Sequence, residues 1–100
     1  MRIAHVFFQV PPDARRRALE ILLAEAEAVR AMPGCRAFVP FLDPTGAGTL
    51  GVLHEWESAD DFSAYAASPT FVATAALLRP MMVAPPVSRR FDARLAETVN

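Results

Sequence analysis

The sequence has few of the residues on which metal, redox and nucleic-acid chemistry usually depend. It contains one cysteine, two histidines and no lysine, so all ten of its basic residues are arginine. A single cysteine cannot form a disulfide within the chain, which favours a reducing compartment and a cytoplasmic location. The net charge is -1 and the arginines are scattered, a pattern that argues against a nucleic-acid partner.

Long apolar runs are also missing. No segment approaches the roughly 18 apolar residues that a membrane-spanning helix needs, and Pro11 and Pro12 interrupt the first apolar stretch. A signal peptide would show a longer apolar core and a small-residue cleavage site. We therefore expect no membrane partner, and the length of 100 residues predicts one domain over residues 1–100.

The order of the predicted elements is βαββαβ. Strands are predicted where β-branched and aromatic residues are concentrated between turn residues, at 2–10, 35–43, 49–57 and, most weakly, 87–95. Pro40 suggests that the second strand lies at an edge. The turn over 44–48, `PTGAG`, joins the second and third strands into a hairpin.

The helices are predicted from caps and from apolar residues at helical spacing. Asp13 is the expected N-cap of the first helix, and Pro33 with Gly34 marks its end. Its expected buried stripe is Leu19, Leu22, Leu23, Ala26 and Val29. The second helix is interrupted: one part begins at Ser58 and another at Ser68, with a buried stripe of Phe71, Val72, Ala75 and Leu78.

This order predicts an α+β fold, the ferredoxin-like βαββαβ arrangement with a four-stranded antiparallel sheet. The strands are apolar on both faces. In the first strand Ala4, Val6, Phe8 and Val10 alternate with Ile3, His5, Phe7 and Gln9, and in the second Cys35, Ala37, Val39 and Phe41 alternate with Phe38, Pro40 and Leu42. Two helices cover one face only, so we expect a homodimer in which a second copy covers the other sheet face.

Three short motifs resemble those of a known family. They are the helix exit `MPGC` (32–35), the strand end `HEWES` (54–58) and the helix segment `YAASPTF` (65–71). In this order and spacing they resemble the antibiotic biosynthesis monooxygenase (ABM) domain of the dimeric α+β barrel superfamily. The resemblance spans almost the whole chain and implies a dimeric α+β barrel. Related barrels include quinol monooxygenases, haem-degrading enzymes and isomerases, so it implies the fold more firmly than the reaction.

Trp56 is the centre of the predicted site. Side chains two apart on a strand share a face, so Trp56 lies with His54 and Val52. If that face looks toward the helices, Phe62 and Tyr65 lie above it and complete an aromatic cleft. The alternative is that Trp56 is a core residue whose indole N–H finds a carbonyl.

His5 and His54 are the candidate proton-transfer groups. If residue 5 opposes residue 54 across the first and third strands, the two imidazoles are neighbours on one face, and a one-residue slip separates them. They could supply a general base poised near neutrality or two metal ligands, or they could be hydrogen-bonded structural histidines. Without a clear third ligand we expect no metal.

Two positions depart from the pattern of the family. Tyr65 stands where many members carry a helix histidine, which in haem-degrading relatives ligates the iron, so the resemblance argues against haem. Quinol-oxidising relatives often carry an Asn near the Trp, whereas Val52 stands four residues before Trp56. Gln9 and His54 are the nearest replacements.

Charged residues near the strand ends have a simpler interpretation. Glu55 and Glu57 flank Trp56 on the opposite face, and Arg89, Arg90 and Arg94 are their expected partners. Cys35 is expected to be a small buried residue and not a nucleophile.

The reaction implied is a monooxygenation that needs no cofactor. An electron-rich phenol or hydroquinone anion can pass an electron to dioxygen, so the protein has to favour the anion, hold the ring and exclude water. We assign catalysis to His54 as base, Trp56 as wall and Tyr65. Binding of a small aromatic or hydrophobic molecule is assigned to His5, Phe7, Gln9, Val52, Phe62 and Phe71. The alternatives are a non-catalytic or isomerase-like barrel that binds a hydrophobic metabolite and, third, a haem-degrading enzyme.

Overall fold

The sheet has four antiparallel strands in the spatial order β2-β3-β1-β4. The computed structural model describes residues 1–100. Its strands are β1 (Arg2–Gln9), β2 (Cys35–Leu42), β3 (Thr49–Trp56) and β4 (Val87–Asp92), and its helices are α1 (Arg15–Arg30), α2 (Ala59–Ala66) and α3 (Pro69–Leu78). Short 3-10 turns occupy Pro12–Ala14 and Arg79–Met81. The ferredoxin-like α+β prediction is confirmed, and β2 lies at an edge, as Pro40 indicated.

Both serine caps form as predicted. The Ser58 hydroxyl oxygen accepts a hydrogen bond from the Asp61 amide at 3.1 Å, and that of Ser68 accepts one from the Phe71 amide at 3.2 Å. Each cap satisfies an amide that the first helical turn leaves free. The two caps therefore fix where α2 and α3 begin, and with them the position of Phe62, Tyr65 and Phe71 above the sheet.

The start of α1 differs from the prediction. Asp13 lies inside the 3-10 turn, and α1 begins at Arg15 without a side-chain cap. The Arg15 amide, which an Asp13 cap would serve, instead donates to the Pro12 carbonyl, so the backbone closes this turn by itself. The N-cap prediction for Asp13 is wrong for this reason.

Two residues of the predicted helix stripes face solvent. Leu23 is 53% exposed and Val72 is 58% exposed, because each lies one residue beyond the packed face of its helix. The buried residues of α1 are Ala18, Ile21, Leu22, Glu25, Ala26 and Val29. One carboxylic acid therefore lies within the packed stripe of α1.

The exit from α1 follows the predicted geometry. Gly34 has a φ of +79°, and a Cβ at this position would lie 2.2 Å from the Asp61 carboxylate. Its carbonyl accepts a hydrogen bond from the Glu57 amide at 2.8 Å. Only glycine combines this backbone conformation with so close an approach. The end of α1 is thereby joined to the start of α2.

A β-bulge changes the faces of β2. Cys35 pairs with Trp56, but Ala37 pairs with Glu55, so the extra residue Arg36 interrupts the alternation. Cys35 consequently lies on the helix side of the sheet, and its predicted grouping with Ala37, Val39 and Phe41 is wrong. Arg36 instead forms an exposed ion pair with Glu57 at 3.3 Å, in place of the arginines expected from β4.

The sheet thus has an inner face under the helices and a bare outer face. The inner face contributes the buried side chains Ala4, Phe8, Phe38, Leu50, Val52, His54 and Trp56. The outer face carries Phe7, Val39 and Phe91, which are 37%, 46% and 39% exposed. None of the helices combines the length and hydropathy needed to cross a membrane.

Candidate active site

A cavity of about 280 Å³ lies between the inner face and the helices. Its walls are largely apolar, and aromatic rings of Phe8, Phe62, Tyr65 and Phe71 form much of them. The polar side chains that reach it are Glu25, His54, Thr74, Arg79, Ser88 and Arg90. An apolar space with a few convergent polar groups is the usual form of a small-molecule site.

The predicted site residues divide between the two faces of the sheet. Val52, His54, Phe62, Tyr65 and Phe71 line the cavity. His5, Phe7 and Gln9 do not, because they lie on the outer face. Trp56 does not line it either, since it is 0% exposed behind Tyr65.

The strand register separates the two histidines. Ala4 opposes His54, and His5 opposes Leu53, so the one-residue slip is the arrangement that forms. Since side chains alternate between faces, His5 points away from the cavity, where its ring contacts Phe91 at a centroid distance of 5.5 Å. The two imidazoles therefore form no shared site, and the placement of His5, Phe7 and Gln9 in the pocket is corrected.

Trp56 positions His54 from behind. Its indole Nε1–H donates to His54 Nδ1 at 2.8 Å, so the indole finds an imidazole and not the carbonyl considered above. Its ring also stacks on Tyr65, with centroids 5.0 Å apart and planes at 25°. The wall role predicted for Trp56 is corrected to that of a positioning residue for two cavity side chains.

The hydrogen bond from Trp56 decides the tautomer of His54. An indole N–H only donates, so Nδ1 has to carry a lone pair, and the proton of the neutral ring lies on Nε2. Nε2 has no hydrogen-bond partner in the chain, and His54 lines the cavity. His54 therefore presents an N–H donor to any bound molecule.

Burial keeps this imidazole neutral. Desolvation, with smaller contributions from Arg90 and His5, lowers the pKa of His54 to about 4. The expected base poised near neutrality is thus absent at this position, because the ring is a weak base and its lone pair is already engaged. A neutral histidine of this kind polarises or stabilises a ligand oxygen.

Tyr65 is a second donor. Burial, then Glu25 and Cys35, raise the pKa of the Tyr65 phenol well above its ordinary value, so it stays protonated. Its ring contacts those of Trp56, Phe38 and Phe71. The side chain is 6% exposed, so almost all of it lies within the packed core beside the cavity.

Arginines supply the positive charge of the site. Arg90 of β4 places its guanidinium 4.9 Å from the centroid of Phe62, and Arg2 lies 5.7 Å from the same ring. Arg90 and Arg79 both line the cavity. Neither was expected in the cavity. Sequence analysis paired Arg90 with Glu55 and Glu57, and only the register of β4 puts Arg90 and Ser88 on the inner face.

The donor set does not fit haem iron. Ligation through Nε2 of His54 would require the ring proton on Nδ1, which the Trp56 N–H opposes. Tyr65, which occupies the position of the helix histidine, would have to lose a proton that burial retains. No group of three or more His, Cys, Asp or Glu side chains is placed to hold a metal ion.

Comparison with known proteins agrees with this architecture. The sequence model of the family described as antibiotic biosynthesis monooxygenase matches residues 1–77. No curated protein gives a significant match. The fold is similar to that of a Deinococcus radiodurans protein provisionally named an antibiotic biosynthesis monooxygenase, with 17% identity, 100% of this chain and 99% of that chain covered, and a TM-score of 0.90.

Two further structures share the fold. Rv0793 from Mycobacterium tuberculosis is 23% identical, with 99% of this chain and 100% of that chain covered and a TM-score of 0.84. A Caulobacter crescentus protein with the same provisional monooxygenase name is 24% identical, with 94% and 90% covered and a TM-score of 0.83. At these identities the similarity shows the common fold.

Proposed function

The chain belongs to the antibiotic biosynthesis monooxygenase family, and from its cavity we propose that it is a cofactor-independent monooxygenase. The substrate is an electron-rich phenol or hydroquinone, and the oxidant is dioxygen. The observation that carries this proposal is an aromatic cavity in which a neutral His54 is held as a donor by Trp56. A site of this kind binds a flat ring and stabilises negative charge on its oxygen.

The reaction uses the substrate as its own reductant. The phenol loses its proton, and the phenolate passes one electron to dioxygen. The resulting radical pair joins through a ring carbon to form a peroxide. After protonation the O–O bond breaks as the same ring carbon loses its hydrogen, which gives a quinone and water. One oxygen atom enters the product and the other leaves in water, so no external reductant is consumed.

The residues of the cavity meet the three needs of this chemistry. Phe62, Phe71 and Val52 supply an apolar enclosure that holds the ring and keeps water from the radical pair. The Nε2–H of His54 donates to the phenolate oxygen, and Arg90 adds a positive charge nearby. These groups favour the phenolate anion over the neutral phenol. The anion is the form that reacts with dioxygen.

Oxygen consumption tests the proposal. Metal-stripped protein is mixed with a panel of naphthohydroquinones and anthrols, and autoxidation in the same buffer is subtracted. We expect uptake proportional to enzyme, with one dioxygen per substrate. We expect His54→Phe, which removes the donor, to lower kcat at least about tenfold. Absence of uptake across the panel contradicts the proposal.

One observation favours a second candidate function. Val52 gives the cavity an apolar wall where quinol-oxidising relatives often carry an amide, and Tyr65 replaces the helix histidine. The same cavity could therefore serve a non-catalytic or isomerase-like protein that binds a hydrophobic metabolite. Saturable binding of the panel compounds without oxygen uptake would select this second function.

The proposal includes a homodimer formed through the outer face. Phe7, Val39 and Phe91 are partly exposed there, and the Phe7 and Phe41 rings meet edge to face at 6.0 Å across Gly51. An apolar sheet face of this kind is covered most economically by a two-fold copy. We also propose that residues 1–100 act as one domain and that the protein is cytoplasmic, in line with its lone half-buried Cys35.

A further inference from the structure

Glu25 is a buried acid with one oxygen, Oε2, that has no hydrogen-bond partner. It lies on α1, is 7% exposed, and its Oε2 makes no hydrogen bond in the chain. Burying a carboxyl group without a hydrogen bond is costly, and such groups are uncommon in folded proteins. A bound molecule that donates a hydrogen bond would satisfy Oε2.

The carboxyl group lies between two spaces. Glu25 lines the central cavity together with Thr74 of α3. It also lines an outer groove between α1 and α3, where Arg17, Glu20 and Thr70 are neighbours. The side chain of Glu25 therefore borders both the cavity and the outer groove.

The other polar groups of the cavity are donors or cations. His54 has its lone pair engaged by Trp56 and its proton on Nε2. Tyr65 keeps its proton, and Arg79 and Arg90 stay charged. Ser88 and Thr74 carry hydroxyls that do not ionise near neutrality. Glu25 is the group in this cavity that can accept a proton.

We propose that Glu25 is the proton acceptor for the substrate hydroxyl, an inference that rests on the proposed monooxygenase function. In this step the O–H bond of the phenol breaks, its electron pair stays on the phenolate oxygen, and a new O–H bond forms on Oε2. Nothing is oxidised or reduced at this stage. The same proton can return to the peroxide oxygen that leaves as water, so the carboxylate is regenerated in each cycle.

The environment of Glu25 suits this role. Burial raises the pKa of its carboxyl group above the ordinary value, although Thr74 opposes the shift, so the carboxylate is a stronger base than an exposed one. The inference also defines the substrate class. It is a phenol that still carries its proton at the working pH, with the hydroxyl directed at α1.

The first test compares Glu25→Gln with Glu27→Gln, an exposed acid on the same helix. With a substrate that supports oxygen uptake, we expect Glu25→Gln to lower kcat about 100-fold below the pKa of the substrate, with KM within a few-fold. Above that pKa the substrate arrives as its anion, so activity should recover to within a few-fold of the parent protein. Glu25→Asp should restore part of the loss at low pH.

Rescue at high pH is the readout that a merely structural role would not produce. The charged or titratable groups around Glu25 are unchanged in both variants; they are Arg17, Glu20, His54, Tyr65, Arg79 and Arg90. Unaltered activity in Glu25→Gln, or a deficit that is the same at every pH, overturns the assignment while leaving the monooxygenase proposal intact.

The second test needs no turnover. Binding of 2-naphthol and 2-methoxynaphthalene is measured by calorimetry with the parent protein, Glu25→Met and Glu27→Met. We expect the parent protein and Glu27→Met to bind the naphthol about tenfold more tightly than its methyl ether. Glu25→Met should bind the two compounds alike, since its thioether is only a weak hydrogen-bond acceptor. Glu25→Met removes a buried oxygen that has no hydrogen bond and keeps a side chain of similar length, so the fold should stay intact.

The two tests separate the two proposals. Loss of the naphthol preference in Glu25→Met without oxygen uptake by the parent protein supports Glu25 as the hydroxyl acceptor and contradicts the monooxygenase. A naphthol preference that survives in Glu25→Met overturns the role of Glu25, whether or not oxygen is consumed.

Discussion

The two faces of the sheet each carry one histidine, and the two have opposite surroundings. His54 on the inner face is 2% exposed, accepts a hydrogen bond from Trp56 and faces a cavity. His5 on the outer face makes edge contacts with Phe7 and Phe91 on an uncovered surface. His5 and His54 thus have similar neighbours in the sequence, apolar and aromatic, but one borders a cavity and the other an uncovered surface. The difference arises from which face the helices cover.

The comparison shows why an apolar strand does not identify a site. Both faces offer aromatic rings, but only the inner face brings polar groups from α1, α3, β3 and β4 together around one cavity. The outer face has the composition of an interface. We therefore propose ligand chemistry for the inner face and association for the outer one, and the following experiments test that division.

The largest effect is expected from neighbouring residues on opposite faces of β2. Phe38 is 1% exposed and packs against His54 and Tyr65, whereas Val39 is 46% exposed. Phe38→Ala should lower the free energy of unfolding by about 3–5 kcal/mol. Val39→Ala should lower it by less than about 1 kcal/mol. Urea unfolding at one low protein concentration measures both, and equal losses would contradict the assignment of faces.

A charge on the outer face should disrupt the proposed homodimer. In Val39→Arg a guanidinium would be buried against the second copy, so we expect the dimer dissociation constant to rise at least about 100-fold. Sedimentation equilibrium measures this change. Val72→Arg is the matched control, because Val72 is equally apolar and 58% exposed but lies on α3. A dimer that tolerates Val39→Arg and dissociates with Val72→Arg would place the interface on the helices.

The inner histidine should make stability depend on pH. The folded pKa of His54 is about 4, below the value of 6.5 for a free imidazole, so the unfolded chain binds more protons between these values. Stability from this group is therefore lost as pH falls from 6.5 toward 4, by about 2 kcal/mol between pH 7 and pH 5.

A substitution isolates this contribution. His54→Gln keeps an acceptor for Trp56 but does not titrate. The variant should therefore lose about 2 kcal/mol less stability between pH 7 and pH 5 than the parent protein does. Glu25 acts in the opposite direction, since its raised pKa removes stability as pH rises above about 4.5. It contributes equally to both proteins. Identical pH profiles for the two proteins would mean that His54 is not buried as a neutral ring.

The smallest effect is expected from an exposed ion pair at the strand ends. Arg36 and Glu57 form an ion pair at 3.3 Å between side chains that are 48% and 60% exposed. Solvent screens such a pair, so Glu57→Gln should change the free energy of unfolding by less than about 0.5 kcal/mol. Thermal unfolding at low and high salt measures this change. A loss above about 1 kcal/mol would show that this ion pair is covered in the assembled protein.

Much of the fold could be predicted from local signals. Ser58, Ser68 and Gly34 each act through their own backbone geometry, so the sequence is sufficient to place helix ends there. The element order βαββαβ, together with the ABM-like motifs, predicted the sheet and its helix layer. Asp13 failed as a cap because the 3-10 turn gives the Arg15 amide, which such a cap would serve, a backbone partner in the Pro12 carbonyl.

The site was harder to predict because it depends on register. A slip of one residue decides whether His5 meets His54, and the bulge at Arg36 moves Cys35 to the other face. Neither is visible in the composition of a strand. Glu25 left a usable signal, since it stands at helical spacing between Leu22 and Val29 in an apolar stripe. Arg90 left none, because β4 is the most weakly patterned strand.

The central claim is that His54 faces the cavity as a neutral donor, and nitrogen NMR of the imidazole tests it most directly. Long-range proton–nitrogen correlation spectra, assigned with His54→Gln, are recorded between pH 8 and pH 5. The account predicts a protonated Nε2 and an unprotonated Nδ1 throughout this range, with Trp56→Phe releasing the tautomer preference. A proton on Nδ1, or conversion of His54 to the cation between pH 7 and pH 6, would contradict it.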